Sequence, residues 1–131
     1  MGGWTMLGYV TIGALDSEAS GKFYDAVLGA VGDERKFAAN GWIGYGPKGE
    51  DSHYLYLCPP FNGLPAAPAN GLMLSFKAKS KDQVDAAYTA ALSHGGSDEG
   101  TPGFRPPEGT EFYGAYMRDP TGNKFCVFVK L

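Results

Sequence analysis

Apolar and polar positions along this chain follow one rhythm, and the rhythm occurs twice, 64 residues apart. Tyr9-Val10-Thr11-Ile12 carries a β-branched run, and segment 7–14 reads as a strand. Asp16 is placed to cap a helix whose apolar positions Ala19, Phe23 and Val27 recur at i, i+4 and i+8, with Gly29 and Gly32 beyond its end. Sixty-four residues on, Met73-Leu74-Ser75-Phe76 leads to Ser80, then Ala87-Tyr88, Ala91-Leu92 and Gly96. Strand, cap, apolar pairs and terminating glycine all fall in step, which predicts two similar modules sharing one core.

The remaining elements follow from local signals. Two short strands, 34–39 and 41–46, meet at Asn40-Gly41, a pair that tolerates the positive φ angles of a tight hairpin. A polar turn at 48–51 leads to a strand over 53–58. The proline-rich stretch 59–71 cannot join a central ladder and reads as a linker. The second module opens with a strand over 72–78. Ser80 and Gln83 form a capping box, Val84, Ala87, Tyr88, Ala91 and Leu92 form the expected buried stripe, and Gly95-Gly96 stops the helix. A long loop is expected over 97–111, followed by strands 112–118 and 124–130 joined through Asp119-Pro120-Thr121-Gly122-Asn123, where Asp supplies an acceptor and Gly-Asn the positive φ. The expectation is a single domain, 1–131, with module one at 7–58 and module two at 72–131. Its fold class is α+β: two βαβββ modules forming a half-open, mostly antiparallel barrel with two outer helices. A ferredoxin-like sandwich shares part of this element order, but the number of strand-like segments favours two modules.

Composition narrows the functional classes. A chain of 131 residues with 44% hydrophobic and 19% charged residues can bury a core without disulfide staples. Net charge is −3 with no basic run, which argues against nucleic acid as a partner. No apolar stretch is long enough to span a bilayer, so no membrane partner is expected. Segment 1–6 shows neither a signal peptide nor a myristoylation pattern, and Cys58 and Cys126 lack zinc spacing, so a reduced, cytoplasmic protein is expected. Gly44-Tyr45-Gly46-Pro47-Lys48-Gly49 matches a dinucleotide fingerprint only as letters, because it runs into a proline and another strand rather than a helix. His53 and His94 occupy unrelated places in the two modules and do not suggest a paired metal site.

Lys22-Phe23-Tyr24-Asp25-Ala26-Val27-Leu28 after the first strand, together with Arg118-Asp119-Pro120-Thr121-Gly122-Asn123 near the end, resembles the vicinal oxygen chelate superfamily of glyoxalases, bleomycin-resistance proteins and extradiol dioxygenases. The resemblance covers nearly the whole chain. It implies a cavity between two sheets and, in the enzymes of the family, a divalent metal held by His or Glu. The ligand positions it implies are occupied here by Tyr9, Met73 and Cys126, with Tyr54 or Tyr56 as the fourth. Such cations take carboxylate oxygen and imidazole nitrogen, so this chain reads as a member lacking the usual ligands, with no metal and no cofactor expected.

Strand alternation carries the rest of the site. Along 124–130 alternation puts Lys124, Cys126 and Phe128 on one face and Phe125, Val127 and Val129 on the other; with Cys126 inward, Phe128 faces the cavity too, and on 112–118 the inward set is Phe112, Gly114 and Tyr116. Together with Tyr9, Tyr54, Tyr56 and Met73 these predict an aromatic chamber, with Arg105 and Arg118 as cationic contacts. Cys126 has no evident base partner and reads as a small apolar residue. The function expected is binding of a small aromatic or planar molecule in the cavity between the modules, by a protein that pairs as a homodimer. The alternatives are a glyoxalase-type lyase or dioxygenase-like enzyme, and a protein whose aromatics fill the barrel and which acts through its dimer surface.

Overall fold

Both caps form where the repeat places them. In the computed structural model, which describes residues 6–131, Asp16 accepts from the backbone N–H groups of Glu18 and Ala19, and Ser80 accepts from Gln83. Gln83 completes its box one residue early, accepting from Lys79. Residues 1–5, read above for leader signals, lie outside the described residues. The order is β1 (Val10–Gly13), α1 (Ser17–Gly29), β2 (Asp33–Ala39), β3 (Trp42–Pro47), β4 (Leu55–Cys58), β5 (Leu74–Lys77), α2 (Lys81–Ser93), β6 (Ser97–Phe104), β7 (Phe112–Arg118) and β8 (Lys124–Lys130). Both β1 and α1 recur in β5 and α2 at the same offset of 64 residues. Asn40 and Gly41 turn the β2–β3 hairpin at φ angles of 55° and 81°.

The strands form two four-stranded sheets, ordered β1-β4-β3-β2 and β5-β8-β7-β6. Each holds one parallel pair, β1 with β4 and β5 with β8, and is otherwise antiparallel. The fold is thus α+β, two like modules whose sheets do not close into a barrel. One expected loop is corrected: Ser97–Phe104, inside the segment read as 97–111, is the edge strand β6. Its Ser-Asp-Glu-Gly-Thr-Pro-Gly run lacks apolar alternation because an edge strand with little buried surface needs none, and Pro102 is tolerated there. Its ladder to β7 shifts register twice, between Asp98 and Gly100 and between Gly100 and Gly103. The repeat itself held the missing signal, since β2 begins at Asp33 and β6 at Ser97, again 64 residues on.

One face of each sheet packs on its helix. Phe23, Tyr24, Val27 and Leu28 of α1 and Val84, Ala87 and Ala91 of α2 are buried against Ile43, Tyr45, Leu55, Leu57, Ala115, Met117, Phe125 and Val127. Leu92, expected in the stripe, is 43% exposed, because it stands about 100° round the helix from the buried Ala91. Burial of these apolar side chains is the main favourable term of the fold.

Beside the ring contacts of Phe23 and Tyr24 with Phe125, a buried turn bonds the two modules together. Asp119, 4% exposed, accepts at Oδ1 from the backbone N–H groups of Thr121, Gly122 and Asn123, each at 2.9 Å. Its Oδ2 accepts from the Tyr24 hydroxyl of α1 at 2.8 Å and from Asn123 Nδ2 at 2.9 Å. Burial, and then the neighbouring Asp119, hold the Tyr24 phenol well above its ordinary range. Thr121 Oγ1 accepts from Leu15 N–H, and Asn123 Nδ2 also donates to the Gly13 carbonyl. The β7–β8 turn of module two is thereby bonded to the β1–α1 joint of module one. No helix among the described residues is long and apolar enough to cross a membrane.

In urea unfolding at pH 7, Asp119→Ala should lower stability by about 3 kcal/mol, because several buried donors lose their acceptor, and Tyr24→Phe by about 1 kcal/mol. Equal, sub-kilocalorie effects of both would show that the turn does not hold the modules together.

Candidate functional site

The sheet faces away from the helices carry the polar and aromatic side chains. In module one the pairing runs Thr11 to Tyr56 to Gly44 to Phe37 across the sheet. A bulge in β2 puts Phe37 in that row: Arg35 pairs with Tyr45 and Phe37 with Gly44, so the extra residue Lys36 turns Phe37 to the open face while Arg35 bonds Asp25 of α1. Gly44 gives the Phe37 ring its space, as a Cβ there would stand 2.6 Å from Phe37 Cε1. Tyr56 sits at the centre of the cluster. Its ring lies 5.2 Å from Tyr9, 5.9 Å from Phe37, 6.1 Å from Trp42 and 5.9 Å from His53, mostly edge to face. His53 stacks on Phe37 and places Nδ1 3.1 Å from the Tyr56 hydroxyl. Tyr9, 62% exposed, and Trp42, 38% exposed, leave the cluster open to solvent.

In module two the corresponding row runs Ser75 to Cys126 to Tyr116 to Gly100. Thr11 therefore matches Ser75, and Tyr56 matches Cys126. Cys126 is buried, and burial pushes its thiol up to about 11, against smaller lowering by Ser75, Arg105 and Tyr116. Two residues along β8, Phe128 stacks on Phe112 with centroids 5.0 Å apart and planes within 8°. Arg105, just past β6, lies with its guanidinium carbon 5.5 Å from the Tyr116 ring centroid, and Lys124 places its ammonium at 6.0 Å. Arg118 on the same strand is held by Glu99 and the Gly122 carbonyl.

The free edges of β1 and β5 border a cleft of about 540 Å³, which Tyr9, Tyr54, Met73 and Ser75 help to line. Of the residues singled out from sequence, Tyr9 and Tyr56 meet in module one, and Phe112, Tyr116, Cys126, Phe128 and Arg105 gather in module two. Tyr54 is committed elsewhere: its hydroxyl donates to Asp33 Oδ2 at 2.6 Å, and its ring tilts against Phe76 across the cleft. Burial raises both the Tyr54 phenol and the Asp33 carboxyl. The register thus makes Tyr56, not Tyr54, the counterpart of Cys126. Sequence reasoning put Lys124 on the face of Cys126 without counting it in the site, left His53 out of the site residues, and missed Phe37 and Trp42. The Phe37 bulge hides from any period-two reading, whereas Trp42 shares a strand face with Gly44 and was within reach of alternation.

A divalent metal does not fit these positions. Tyr9, Met73, Tyr56 and Cys126 offer two phenols, a thioether and a thiol held protonated by burial, not carboxylate or imidazole. Among the described residues no group of three or more His, Cys, Asp or Glu could hold a metal ion.

The comparisons with known proteins agree with the geometry. The family described as a glyoxalase-like domain matches residues 9–128. A glyoxalase/bleomycin resistance protein from Albidiferax ferrireducens T118 is 38% identical, with a TM-score of 0.86 over 96% of this chain and 100% of its own. A glyoxalase-related enzyme from Fulvimarina pelagi (20% identity, TM-score 0.74, covering 97% of this chain and 89% of that one) shares the fold. So does a lactoylglutathione lyase from Agrobacterium tumefaciens (24%, 0.64, covering 97% and 95%). No curated protein matches the chain.

The Cys126 thiol should resist iodoacetamide in the native protein at pH 8 and react on unfolding, as followed by peptide mass mapping. Its folded value lies above the unfolded 9.0, so the unfolded chain loses this proton first. Stability is therefore complete below pH 9 with respect to this group and falls as pH rises through about 11. Rapid native alkylation at pH 8 would contradict the burial of this thiol.

Proposed function

The chain belongs to the glyoxalase-like domain family, and from that membership we propose that it is a metal-independent binding protein for a small planar or aromatic molecule. The observation carrying this reading is the open ring cluster around Tyr56, exposed at Tyr9 and Trp42, beside ligand positions whose donors do not suit a metal. Rings in this arrangement offer edges and faces to a flat ligand. The Tyr56 hydroxyl and His53 supply polar contacts that orient it. The Phe112–Phe128 pair and Tyr116 extend the same chemistry on the open face of module two.

The bleomycin-resistance part of the similar protein's description fits a binding role. The lyase and dioxygenase readings need a metal-bound oxygen pair, which these donors do not favour. A filled barrel is not favoured either, since Tyr9 and Trp42 remain exposed. We expect the protein to pair as a homodimer in the cytoplasm. Apolar side chains such as Phe61, Leu64, Leu72 and Met73 stand exposed, as side chains that meet a partner do.

A thermal-shift and fluorescence screen with planar aromatic compounds should yield ligands whose affinity falls about tenfold in Tyr56→Ala. Hits that bind this variant as tightly as the wild type would refute the site. Elemental analysis of the purified protein should find no stoichiometric zinc, nickel, iron or manganese; one equivalent per chain, lost in Met73→Ala, would overturn the metal-independent reading. Light scattering at micromolar concentration should give about twice the chain mass of 13.9 kDa, and a monomer mass would refute pairing.

A further inference from the structure

Charge on the open face of module two is unbalanced. Arg105 and Lys124 both stand over the ring of Tyr116, 5.5 Å and 6.0 Å from its centroid. Neither makes an ion pair among the described residues, whereas Arg118, their neighbour, is neutralised by Glu99 at 2.9 Å. Glu111 borders a hollow with Arg105 but forms no ion pair with it. Each cation gains some attraction from the π-electrons of this ring, and neither charge is offset by a carboxylate among the described residues. An anion bound beside the ring would supply that missing charge.

The position of Arg105 is built into the strand. Gly100 and Gly103 of β6 lie opposite Tyr116 and Gly114 in the ladder. A Cβ at Gly103 would come within 2.9 Å of Arg105 Nη1, and one at Gly100 within 3.3 Å of Nη2 and 3.0 Å of the Tyr116 ring. These two glycines form the trough in which the guanidinium lies. Arg105 Nη2 donates to the Thr101 carbonyl at 2.6 Å and its backbone N–H to Phe112, which fixes the fork before any ligand arrives. Nη1 also donates to the Phe104 carbonyl at 3.4 Å, so the Nε–H and one N–H on each Nη remain for an oxyanion. Beyond Tyr116 along β7, Gly114 leaves room for Phe112 to lie on Phe128, a flat apolar shelf.

We propose that the Arg105–Lys124 pair over Tyr116 is an oxyanion subsite that reads the carboxylate of a planar ligand, whose flat body lies on the Phe112–Phe128 shelf. This inference rests on the ligand-binding reading above and narrows it to planar carboxylic acids. Arg118 takes no part, being held by Glu99 and Gly122.

Two probes separate this proposal from the reading it rests on. Isothermal titration compares 2-naphthoate with the neutral 2-naphthamide on the wild type, Arg105→Gln, Lys124→Gln and Arg118→Gln, with circular dichroism confirming that each folds. In parallel, the Arg105 Nε–H resonance of labelled protein is followed during titration with inorganic phosphate alone. The carboxylate should bind at least about tenfold tighter than the amide. Arg105→Gln and Lys124→Gln should each remove most of that preference, Arg118→Gln should preserve it, and phosphate should shift the Arg105 resonance. Equal binding of carboxylate and amide with an unmoved Arg105 resonance would overturn the subsite and leave the aromatic-binding reading standing. A phosphate-dependent Arg105 shift, lost in Lys124→Gln, with neither aromatic bound would support the anion site and overturn the aromatic-binding reading. No binding by either aromatic and no shift with phosphate would overturn both.

Discussion

The arrangement of the two modules depends on a buried carboxylate. A charge such as that of Asp119 is costly to remove from water unless every acceptor site is filled, and here five donors fill them. Four come from its own turn, three backbone N–H groups and Asn123 Nδ2, and one from Tyr24 of the other module, so the bonds that shape the β7–β8 joint also dock it onto α1. Thr121 and Asn123 extend the contact to Leu15 and Gly13. The joint bonds the turn before β8 to the end of β1 and to α1, and β1 and β5, edge strands of the two sheets, border the cleft.

Each sheet has a clear division of labour between its faces. The helix side is packed with aliphatic and aromatic residues that have almost no exposure, and their phenols find partners, as Tyr45 does at Gly21 and Asp25. The other side carries the rings and cations that are left accessible. Bulges decide what reaches it. One in β2 delivers Phe37, and register shifts in β6 align Gly100 and Gly103 with Tyr116 and Gly114 so that Arg105 can lie across them.

The two modules have diverged by chemistry rather than by backbone. Matching rows hold Thr11 and Tyr56 in one and Ser75 and Cys126 in the other, on the same ladder pattern. Module one is aromatic around Tyr56, while module two has the smaller Cys126 at the matching place and cations at Arg105 and Lys124 nearby. Their β2–β3 and β6–β7 connections differ in length: a two-residue turn at Asn40-Gly41 against the segment 105–111, which begins with Arg105. The family fold persists while the donor chemistry at its ligand positions has changed, which is why fold membership alone does not carry the activity.

Much of this was legible in the residues alone. The repeat of 64 positions, the Asp16 and Ser80 caps, the Asn40-Gly41 turn and the Asp-Pro-x-Gly-Asn joint are local signals, and local hydrogen bonding and φ preferences express them wherever they occur. Alternation likewise separated Cys126 and Phe128 from Phe125 and Val127. The tertiary structure decided what local patterns cannot encode. Bulges break the period of two, so the face of Phe37 emerges only from pairing with β3, and the strand at 97–104, signalled by the repeat alone, shows no alternation of its own. The choice of Tyr56 over Tyr54 came from the parallel register of β1 with β4. The commitment of Arg118 to Glu99, and the freedom of Arg105 and Lys124, follow from which strands lie side by side, since Coulombic pairing depends on distance in space and not along the chain.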